Sequence, residues 1–321
     1  MKILILGDGV IGSVYGNELT KAGYDVTHFI RKERSQDVIL HGIPIRCIDG
    51  RDNNKRTEEL YRPEVISELA KENVYDLFII SAKSDGLHNI IASFSKKLAN
   101  ETTVLIFQSL WIDANEIESW FNGNKVLYGF PHIMGGGRDE QGIYCTIFGS
   151  PDAPSMIGEK DGTISNALQS VEKAFSDASM NPKITKDILG WIYTHYAEAA
   201  GLLAGVMQTN DYINFSQDKT VVVQTLLAIR EGLRICKARG IPVSKIKPQC
   251  YYFLPKIVMV PFMKKMYATE SAKLMIKGHI THSLNEMKSM VNDMIASGEQ
   301  YHVDTRQLSK MKKNVDQFSI I

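Results

Sequence analysis

The chain has 321 residues, of which 44% are hydrophobic and 23% charged, a balance typical of a globular protein with one large domain or two domains. Its 37 basic and 36 acidic residues leave a net charge of +1, which argues against nucleic-acid or acidic-membrane partners. The four cysteines lack the paired spacing of a zinc site or a disulfide framework, and no apolar run reaches the ~20 residues of a membrane span. We therefore expect a cytoplasmic protein with no metal, membrane or nucleic-acid partner.

The first half of the chain alternates predicted strands with predicted helices. Short apolar segments predict strands at residues 3–6, 25–30, 76–81, 103–107, 125–130 and 144–149. A helix is predicted over residues 10–22, and Gly23 supplies its C-terminal stop. This alternation predicts an α/β fold whose N-terminal domain is a Rossmann-type, doubly wound parallel sheet.

The pattern changes near Asn181-Pro182, a turn signal after which helical periodicity dominates. Long helices are predicted over residues 187–209, 219–239 and 281–297. We therefore predict a dinucleotide-binding Rossmann domain over residues 1–180 and a mainly helical substrate and dimerisation domain over residues 181–321. The methionine-rich stretch at residues 259–275 is interpreted as core or subunit interface, which leaves a homodimer through the helical domain open.

A glycine-rich turn stands between the first predicted strand and the first predicted helix. It consists of Gly7, Asp8, Gly9, Val10, Ile11 and Gly12. In this G-x-G-x-x-G pattern the first glycine permits a tight turn, the second lets the backbone approach a pyrophosphate, and the third lets the helix pack on the strand. The helix N-terminus adds N–H groups and a positive dipole. The six residues therefore predict a dinucleotide site.

The end of the second predicted strand indicates which dinucleotide is bound. NAD enzymes usually place an acidic residue here, ~20 residues beyond the glycines, to accept the ribose hydroxyls. This chain has Arg31, and a guanidinium suits the 2′-phosphate of NADP through charge-assisted hydrogen bonds. We therefore predict NADP(H), with Lys32, Arg34 and Ser35 as further candidate ligands, while Glu33 leaves NAD as the alternative.

Segments along almost the whole chain share the pattern of one family: residues 2–16, Arg31, Ser81-Ala82-Lys83, residues 157–162, residues 184–191, Glu231, residues 238–241 and Glu286. With them the chain resembles the ketopantoate reductase (2-dehydropantoate 2-reductase) family. The resemblance implies a cofactor-side role for Lys83 and a substrate-holding role for Glu286. Gln108 stands where the family tends to carry an asparagine, and its amide can make similar hydrogen bonds to the cofactor.

The chain departs from the family at the expected catalytic positions. The family pattern is a tryptophan followed two residues later by a lysine, with asparagines four and eight residues beyond that lysine. Counting from Trp191 places Tyr193, Ala197 and Gly201 at those positions. Tyr193 remains a candidate proton donor, although a tyrosine has a reference pKa of ~10 and no positive charge. The small, apolar face beyond it predicts room for a bulkier or less polar substrate.

Three histidine patterns are candidates for catalysis or metal binding. His195 and Glu198 are three residues apart on a predicted helix, which suits either acid–base catalysis or a surface pair. His132 and the glycines at 135–137 predict a loop that closes over substrate or a long connection. His279 and His282 flank the predicted start of a helix without a third ligand, so no metal site is predicted.

These observations predict an NADP(H)-dependent reductase of a small-molecule 2-keto acid, 2-dehydropantoate or a related carbonyl. Its candidate catalytic residues are Tyr193, Glu286 and His195, and cofactor and substrate are expected to meet in a cleft between the domains. A role in pantothenate biosynthesis would follow from 2-dehydropantoate itself. Two alternatives stay open: a reductase of the same fold with another carbonyl substrate, and a catalytically silent NADP(H)-binding sensor.

Overall fold

The computed structural model describes residues 1–70, 74–81, 87–151 and 153–319. The chain forms two compact units. The first unit contains Met1–Gln108 and Ile112–Leu189, and the second contains Ser109–Trp111 and Gly190–Ile321.

The first unit carries the strands and the shorter helices. Its strands are β1 (Lys2–Leu6), β2 (Asp25–Phe29), β3 (Ile43–Asp49), β4 (Lys55–Tyr61), β5 (Glu64–Ile66), β6 (Leu77–Ile80), β7 (Thr103–Phe107), β8 (Val126–Pro131), β9 (Met134–Asp139), β10 (Gly142–Ile147), β11 (Ser155–Gly158) and β12 (Pro182–Ile184). Its helices are α1 (Val10–Lys21), α2 (Lys32–His41), α3 (Leu87–Phe94), α4 (Ala114–Ser119) and α5 (Asn166–Asp177).

The main sheet has eight strands in the order β12-β11-β8-β7-β6-β1-β2-β5. Strand β1 pairs in parallel with β2 on one side and with β6 on the other, so the strand order reverses around β1. Ile3, Leu4 and Ile5 are fully buried, as expected for a strand at the centre of a covered parallel sheet. Together with the helices of the second unit, this arrangement confirms the predicted fold class, and the carboxyl end of β1 is the position where such sheets bind ligands.

A second sheet was not predicted from the sequence. It has four strands in the order β4-β3-β10-β9. The glycines at 135–137 lie within β9, so the prediction of a loop closing over substrate was wrong. Gly136 is required by strand packing, because a methyl group placed on it would come within 2.7 Å of the Cα of Cys145. Since glycine gives no side-chain periodicity, the strand had no apolar pattern to reveal it.

The second unit consists mainly of helices, with α6 crossing the boundary between the units. They are α6 (Ile188–Val206), α7 (Lys219–Ala238), α8 (Lys256–Tyr267), α9 (Glu270–Gln300) and α10 (Arg306–Gln317). Across the described ranges, no helix combines the length and apolarity needed to cross a membrane.

Helix α9 begins much earlier than predicted. Thr269 caps it, because its hydroxyl accepts a hydrogen bond from the backbone N–H of Ala272 at 3.3 Å. Ser283 has non-helical dihedral angles inside the helix, which interrupts the apolar period. His279 and His282 therefore lie within one helix instead of flanking its start. The described residues contain no group of three or more side chains that could hold a metal ion.

Helix α8 divides its apolar residues between two faces. Met259 and Met263 are buried and form part of the core. Ile257 and Phe262 point outward, with 84% and 55% of their surface exposed. The methionines therefore belong to the core, while a homodimer through the helical domain stays a prediction.

Candidate active site

The glycine-rich turn has the geometry that a dinucleotide pyrophosphate requires. Gly7 has a φ of +82°, and its N–H donates to the carbonyl oxygen of Phe29 at 2.8 Å. A methyl group placed on Gly9 would meet no atom within 4 Å, so the approach to the backbone is open. A methyl group on Gly12 would come within 3.0 Å of Ile5 and 3.2 Å of Ser81. The first glycine therefore makes the turn, the second keeps the approach clear, and the third permits close packing.

The N-terminus of α1 begins directly at this turn. Gly9 occupies the N-cap position, and no side chain caps the helix. The first N–H groups of an uncapped helix lack intrahelical partners and carry the positive end of the helix dipole. The turn therefore fits the phosphates of a dinucleotide in both shape and charge.

A buried histidine, His28, forms a hydrogen bond with the backbone of the glycine-rich turn. The Nδ1 of His28 lies 2.8 Å from the carbonyl oxygen of Gly7, and its Nε2 lies 3.2 Å from the Tyr61 hydroxyl. Burial lowers the pKa of His28 to about 4, so the ring is neutral. Its Nδ1–H donates to Gly7, and its Nε2 accepts from Tyr61. Gly16 is small for the same reason, because a methyl group there would lie 2.5 Å from this Nε2. His28 was not predicted as a site residue, because in the sequence it looks like an ordinary residue of β2.

Asp8 is held by two arginines. Its carboxylate lies 3.1 Å from the Nε of Arg34 and 3.2 Å from an Nη of Arg138. Arg34 also pairs with Asp37 at 2.6 Å. Two cations therefore balance the charge of Asp8 at the turn, and Arg34 already has two carboxylate partners. Arg138, which comes from β9, was not anticipated from the sequence.

Arg31 remains available to an anionic group. It stands two residues beyond the end of β2, at the N-cap of α2, and is exposed. No carboxylate in the described ranges lies within 4.0 Å of its guanidinium. Ser35, by contrast, is buried and donates its hydroxyl proton to the carbonyl oxygen of Lys32 at 2.9 Å. Arg34 and Ser35 are thus already engaged, whereas Arg31 and the neighbouring Lys32 are exposed and have no ion pair in the described ranges.

Gln108 presents a buried amide at the carboxyl end of β7. Its side chain is 8% exposed, and neither its Oε1 nor its Nε2 has a hydrogen-bond partner in the described structure. A buried amide without partners costs roughly 1–3 kcal/mol, so the position favours a ligand that bonds to it. Strand β7 neighbours β6, which neighbours β1, so Gln108 follows the same edge of the sheet as the glycine turn. Lys83 lies outside the described residues.

In the second unit Tyr193 belongs to an aromatic–arginine cluster, which we define as Trp111, Tyr193, Tyr196 and Arg239. The ring of Trp111 meets Tyr193 edge-on at 5.6 Å and stacks on Tyr196 at 5.3 Å. The guanidinium carbon of Arg239 lies 4.1 Å from the Trp111 ring centroid and 4.4 Å from that of Tyr193. Arg239 and Trp111 were not recognised from the sequence as candidate site residues.

Helix α9 closes this cluster with polar side chains. The Tyr196 hydroxyl donates to Asp293 at 2.5 Å, and the Trp111 indole N–H donates to Ser297 at 2.9 Å. Burial, the hydrogen bond to Asp293 and the nearby charge of Glu286 together raise the pKa of Tyr196. Glu286 is half-buried on the same helix. The structure therefore brings Glu286 into electrostatic range of the cluster that contains Tyr193, while its contact with substrate stays a prediction.

His195 and Glu198 are close, but the glutamate has nearer partners. The His195 Nδ1 lies 3.8 Å from the Glu198 carboxylate, and its ring stacks on Trp191 at 5.2 Å. Glu198 accepts hydrogen bonds from Gln249 at 2.9 Å and from the Tyr252 hydroxyl at 2.6 Å. Burial raises the pKa of Glu198. These contacts indicate that Glu198 mainly serves this buried network, and a catalytic role for His195 stays a prediction.

The small face of α6 beyond Tyr193 is closed by another helix. A side chain at Gly201 would come within 2.5 Å of the backbone nitrogen of Ile229 on α7. A methyl group on Gly232 of α7 would lie 3.1 Å from the Cβ of Ala197. The expectation that this face offers room for substrate was therefore wrong, because the small residues allow α6 and α7 to pack closely.

Comparison with known proteins finds a family model and several relatives that resemble this chain. Residues 3–149 match a family model described as Ketopantoate reductase PanE/ApbA. An uncharacterized oxidoreductase, YkpB of Bacillus subtilis (strain 168), is 24% identical over 249 residues, which cover 76% of this chain and 77% of the relative. A 2-dehydropantoate 2-reductase of Nostoc sp. (strain PCC 7120 / SAG 25.82 / UTEX 2576) is 24% identical over 283 residues, which cover 83% and 81%.

A solved structure extends the likeness of fold to nearly the whole chain. A D-mandelate dehydrogenase in a ternary complex with NADH and anilino(oxo)acetate superposes with a TM-score of 0.73 at 17% identity, covering 99% of this chain and 98% of that protein. The family resemblance predicted from the sequence is confirmed by the matched model and by the named relatives. Residues 3–149 are therefore similar to the ketopantoate reductase PanE/ApbA family, and the likeness of fold extends over nearly the whole chain.

Proposed function

We propose that this protein is an NADP(H)-dependent reductase that converts a 2-keto acid to the corresponding 2-hydroxy acid. The observation that carries the proposal is the turn at Gly7, Gly9 and Gly12, with its open approach and uncapped helix. When bound, the reduced nicotinamide would supply the hydride. The chain itself would hold the pyrophosphate with the turn and hydrogen-bond the cofactor through Gln108, and Lys83 is proposed for the cofactor side by family resemblance.

The preference for NADP(H) depends on Arg31. Its exposed guanidinium has no ion pair in the described structure and stands where NAD enzymes usually carry a carboxylate. A 2′-phosphate offers it charge-assisted, bidentate hydrogen bonds. The D-mandelate dehydrogenase structure contains NADH, so both cofactors are compared in the experiment below.

The substrate proposed first is 2-dehydropantoate, the compound named in the Nostoc relative. The second is another 2-keto acid, favoured by Tyr193 in place of a lysine. The likeness of fold to a D-mandelate dehydrogenase supports including aryl-substituted 2-keto acids. Tyr193 and His195 are the proposed proton donors, and Glu286 the proposed acceptor for a substrate hydroxyl.

The decisive experiment measures oxidation of NADPH and of NADH with a panel of 2-keto acids that includes 2-dehydropantoate and phenylglyoxylate. We expect turnover of at least one of these compounds and a higher kcat/KM with NADPH. Tight binding of NADPH without turnover of any carbonyl would instead support a catalytically silent sensor. Equal or better use of NADH would overturn the assignment of the cofactor.

Turnover of 2-dehydropantoate itself is expected to be slow. Losing a preorganised charged donor typically costs about 2.7–4 kcal/mol in the transition state, so we expect a rate at least ~100-fold below that of a family member with the lysine. Tyr193→Lys alone should restore little, because groups that act as a unit are not recovered singly. A kcat/KM of ~10⁴ M⁻¹s⁻¹ or more for this substrate would refute the expectation.

A further inference from the structure

Arg239 is held in a fixed position at the C-terminal end of α7. It is the residue that caps this helix, and its guanidinium covers the Trp111 and Tyr193 rings at 4.1 and 4.4 Å. A planar guanidinium stacked on aromatic faces keeps its N–H groups directed outward from its edges. The hydrogen bond from Trp111 to Ser297 and the stacking of Tyr196 on Trp111 fix the ring beneath it. The charge is therefore oriented before any ligand binds.

This charge has no counter-ion in the described part of the chain. No carboxylate there lies within 4.0 Å of Arg239, and its Nη1 is buried without a hydrogen-bond partner. Asp293, which contacts the cluster through Tyr196, already accepts a hydrogen bond from the Tyr196 hydroxyl. A buried, unpartnered donor on a permanent cation is costly unless an anion completes it.

The guanidinium of Arg239 favours a carboxylate as its anionic ligand. A guanidinium edge matches a carboxylate through two parallel N–H···O hydrogen bonds, and Arg239 is half-buried, so a small anion can reach it. Within the aromatic–arginine cluster, Arg239 carries the single formal charge, since its other members are Trp111, Tyr193 and Tyr196. We infer that Arg239 binds the carboxylate of the 2-keto acid, an inference that rests on the proposed function.

The experiment compares two probes on the full chain saturated with NADPH. Oxamate carries the carboxylate and carbonyl of a 2-keto acid but does not accept hydride, and ethyl oxamate is its ethyl ester, which carries no charge. We expect wild type to bind oxamate roughly 10- to 150-fold more tightly than ethyl oxamate in calorimetric titration, the range of a charge-assisted hydrogen bond. Arg239→Gln should lose this difference, and Arg239→Lys should retain part of it, because lysine keeps the charge but not the planar fork.

A matched control is available on the same helix. Arg234 is an exposed arginine of α7, and Arg234→Gln should leave the affinity for oxamate unchanged. Oxamate should also change the fluorescence of Trp111 in wild type, and this change should disappear in Trp111→Phe, which keeps an aromatic face under the guanidinium. This readout locates the anion even where Arg239→Gln does not fold.

The two proposals fail in different ways. Oxamate binding that depends on Arg239, in a protein that reduces no 2-keto acid, would retain the carboxylate site and reject the reductase. Equal affinity of wild type for oxamate and ethyl oxamate, or unchanged oxamate affinity in a folded Arg239→Gln protein, would overturn the role of Arg239 even if 2-keto acids are reduced.

Discussion

The two units build their candidate sites from different parts of the chain. In the first unit, the turn at Gly7, Gly9 and Gly12 presents backbone N–H groups, and the glycines matter because they have no side chain. In the second unit, the aromatic–arginine cluster presents side chains from α6, the end of α7 and the short segment at 109–111. A backbone site can be encoded by six adjacent residues, whereas a side-chain site is assembled only when distant segments pack together.

This difference determines which substitutions each unit can accept. The turn tolerates few substitutions, since each glycine is required by a dihedral angle, an open approach or a close contact. The small residues of α6 are required for a different reason. Gly201 has no side chain because the backbone of α7 packs directly against it. Side-chain chemistry in the second unit can therefore change as long as the helix packing is preserved.

The largest effect on cofactor binding by the glycine-rich turn is expected for Gly9→Val. Because a Cβ at Gly9 meets nothing within 4 Å, the protein should fold normally, while the branched side chain fills the approach of the pyrophosphate. The loss of two charge-assisted hydrogen bonds should weaken NADPH and NADH alike by on the order of 100-fold or more. Fluorescence titration measures both affinities, and Gly12→Val is the contrasting variant, whose thermal stability should fall because its Cβ meets Ile5 at 3.0 Å. Normal cofactor affinity in Gly9→Val would remove the turn from the site.

The histidine below the turn predicts a dependence of stability on pH. His28 has a folded pKa of about 4 against an unfolded value of 6.5, so the unfolded chain binds a proton that the folded chain excludes between these values. Its contribution is complete above pH 6.5 and is lost as the pH falls towards 4, by about 3 kcal/mol. Denaturant unfolding across this range measures the effect.

His28→Asn should reduce this slope, because the amide can still donate to Gly7 but does not titrate. His132, whose pKa burial also lowers to about 4, should supply part of the slope that remains. The control is His41→Asn, since 73% of the His41 side chain is exposed. An unchanged slope in His28→Asn would contradict the neutral, buried state of this ring.

Substitution of Arg31 tests whether this one side chain determines the preference for NADPH over NADH. Arg31→Ala should weaken NADPH by roughly 10- to 150-fold through the loss of a charge-assisted hydrogen bond, and should leave NADH nearly unchanged. Lys32→Ala, the adjacent exposed cation, is the matched control and should have a smaller effect. Equal losses for both cofactors in Arg31→Ala would reject a 2′-phosphate site at this residue.

The smallest expected effect belongs to Glu286 in the second unit. Glu286→Gln keeps the shape of the side chain and removes its charge, so we expect KM for the 2-keto acid to rise about tenfold, the loss of about 1.4 kcal/mol expected when a charged acceptor becomes neutral. NADPH affinity should stay the same, because the change lies in the other unit. Wild-type kinetics would place Glu286 outside the substrate site.

Local patterns predicted much of the first unit. The strand over residues 103–107 was predicted with its observed limits, and α1 was predicted to within one residue at each end. The dinucleotide turn was recognised because strand, glycines and helix are contiguous, and Arg31 because it follows the next strand directly. Such features depend on neighbours along the chain, which a sequence displays without any knowledge of packing.

The features that only the tertiary structure determined are contacts between segments that are distant in sequence. The pairing of β9 with β10 converts a glycine run into a strand, and the approach of α7 makes Gly201 a packing residue instead of an opening for substrate. Arg239 becomes a candidate ligand through Trp111, which is 128 positions away in sequence yet 4.1 Å away in space. Hydrophobic periodicity reports which face of an element is buried, but not which element buries it, and the cluster depends on that second choice.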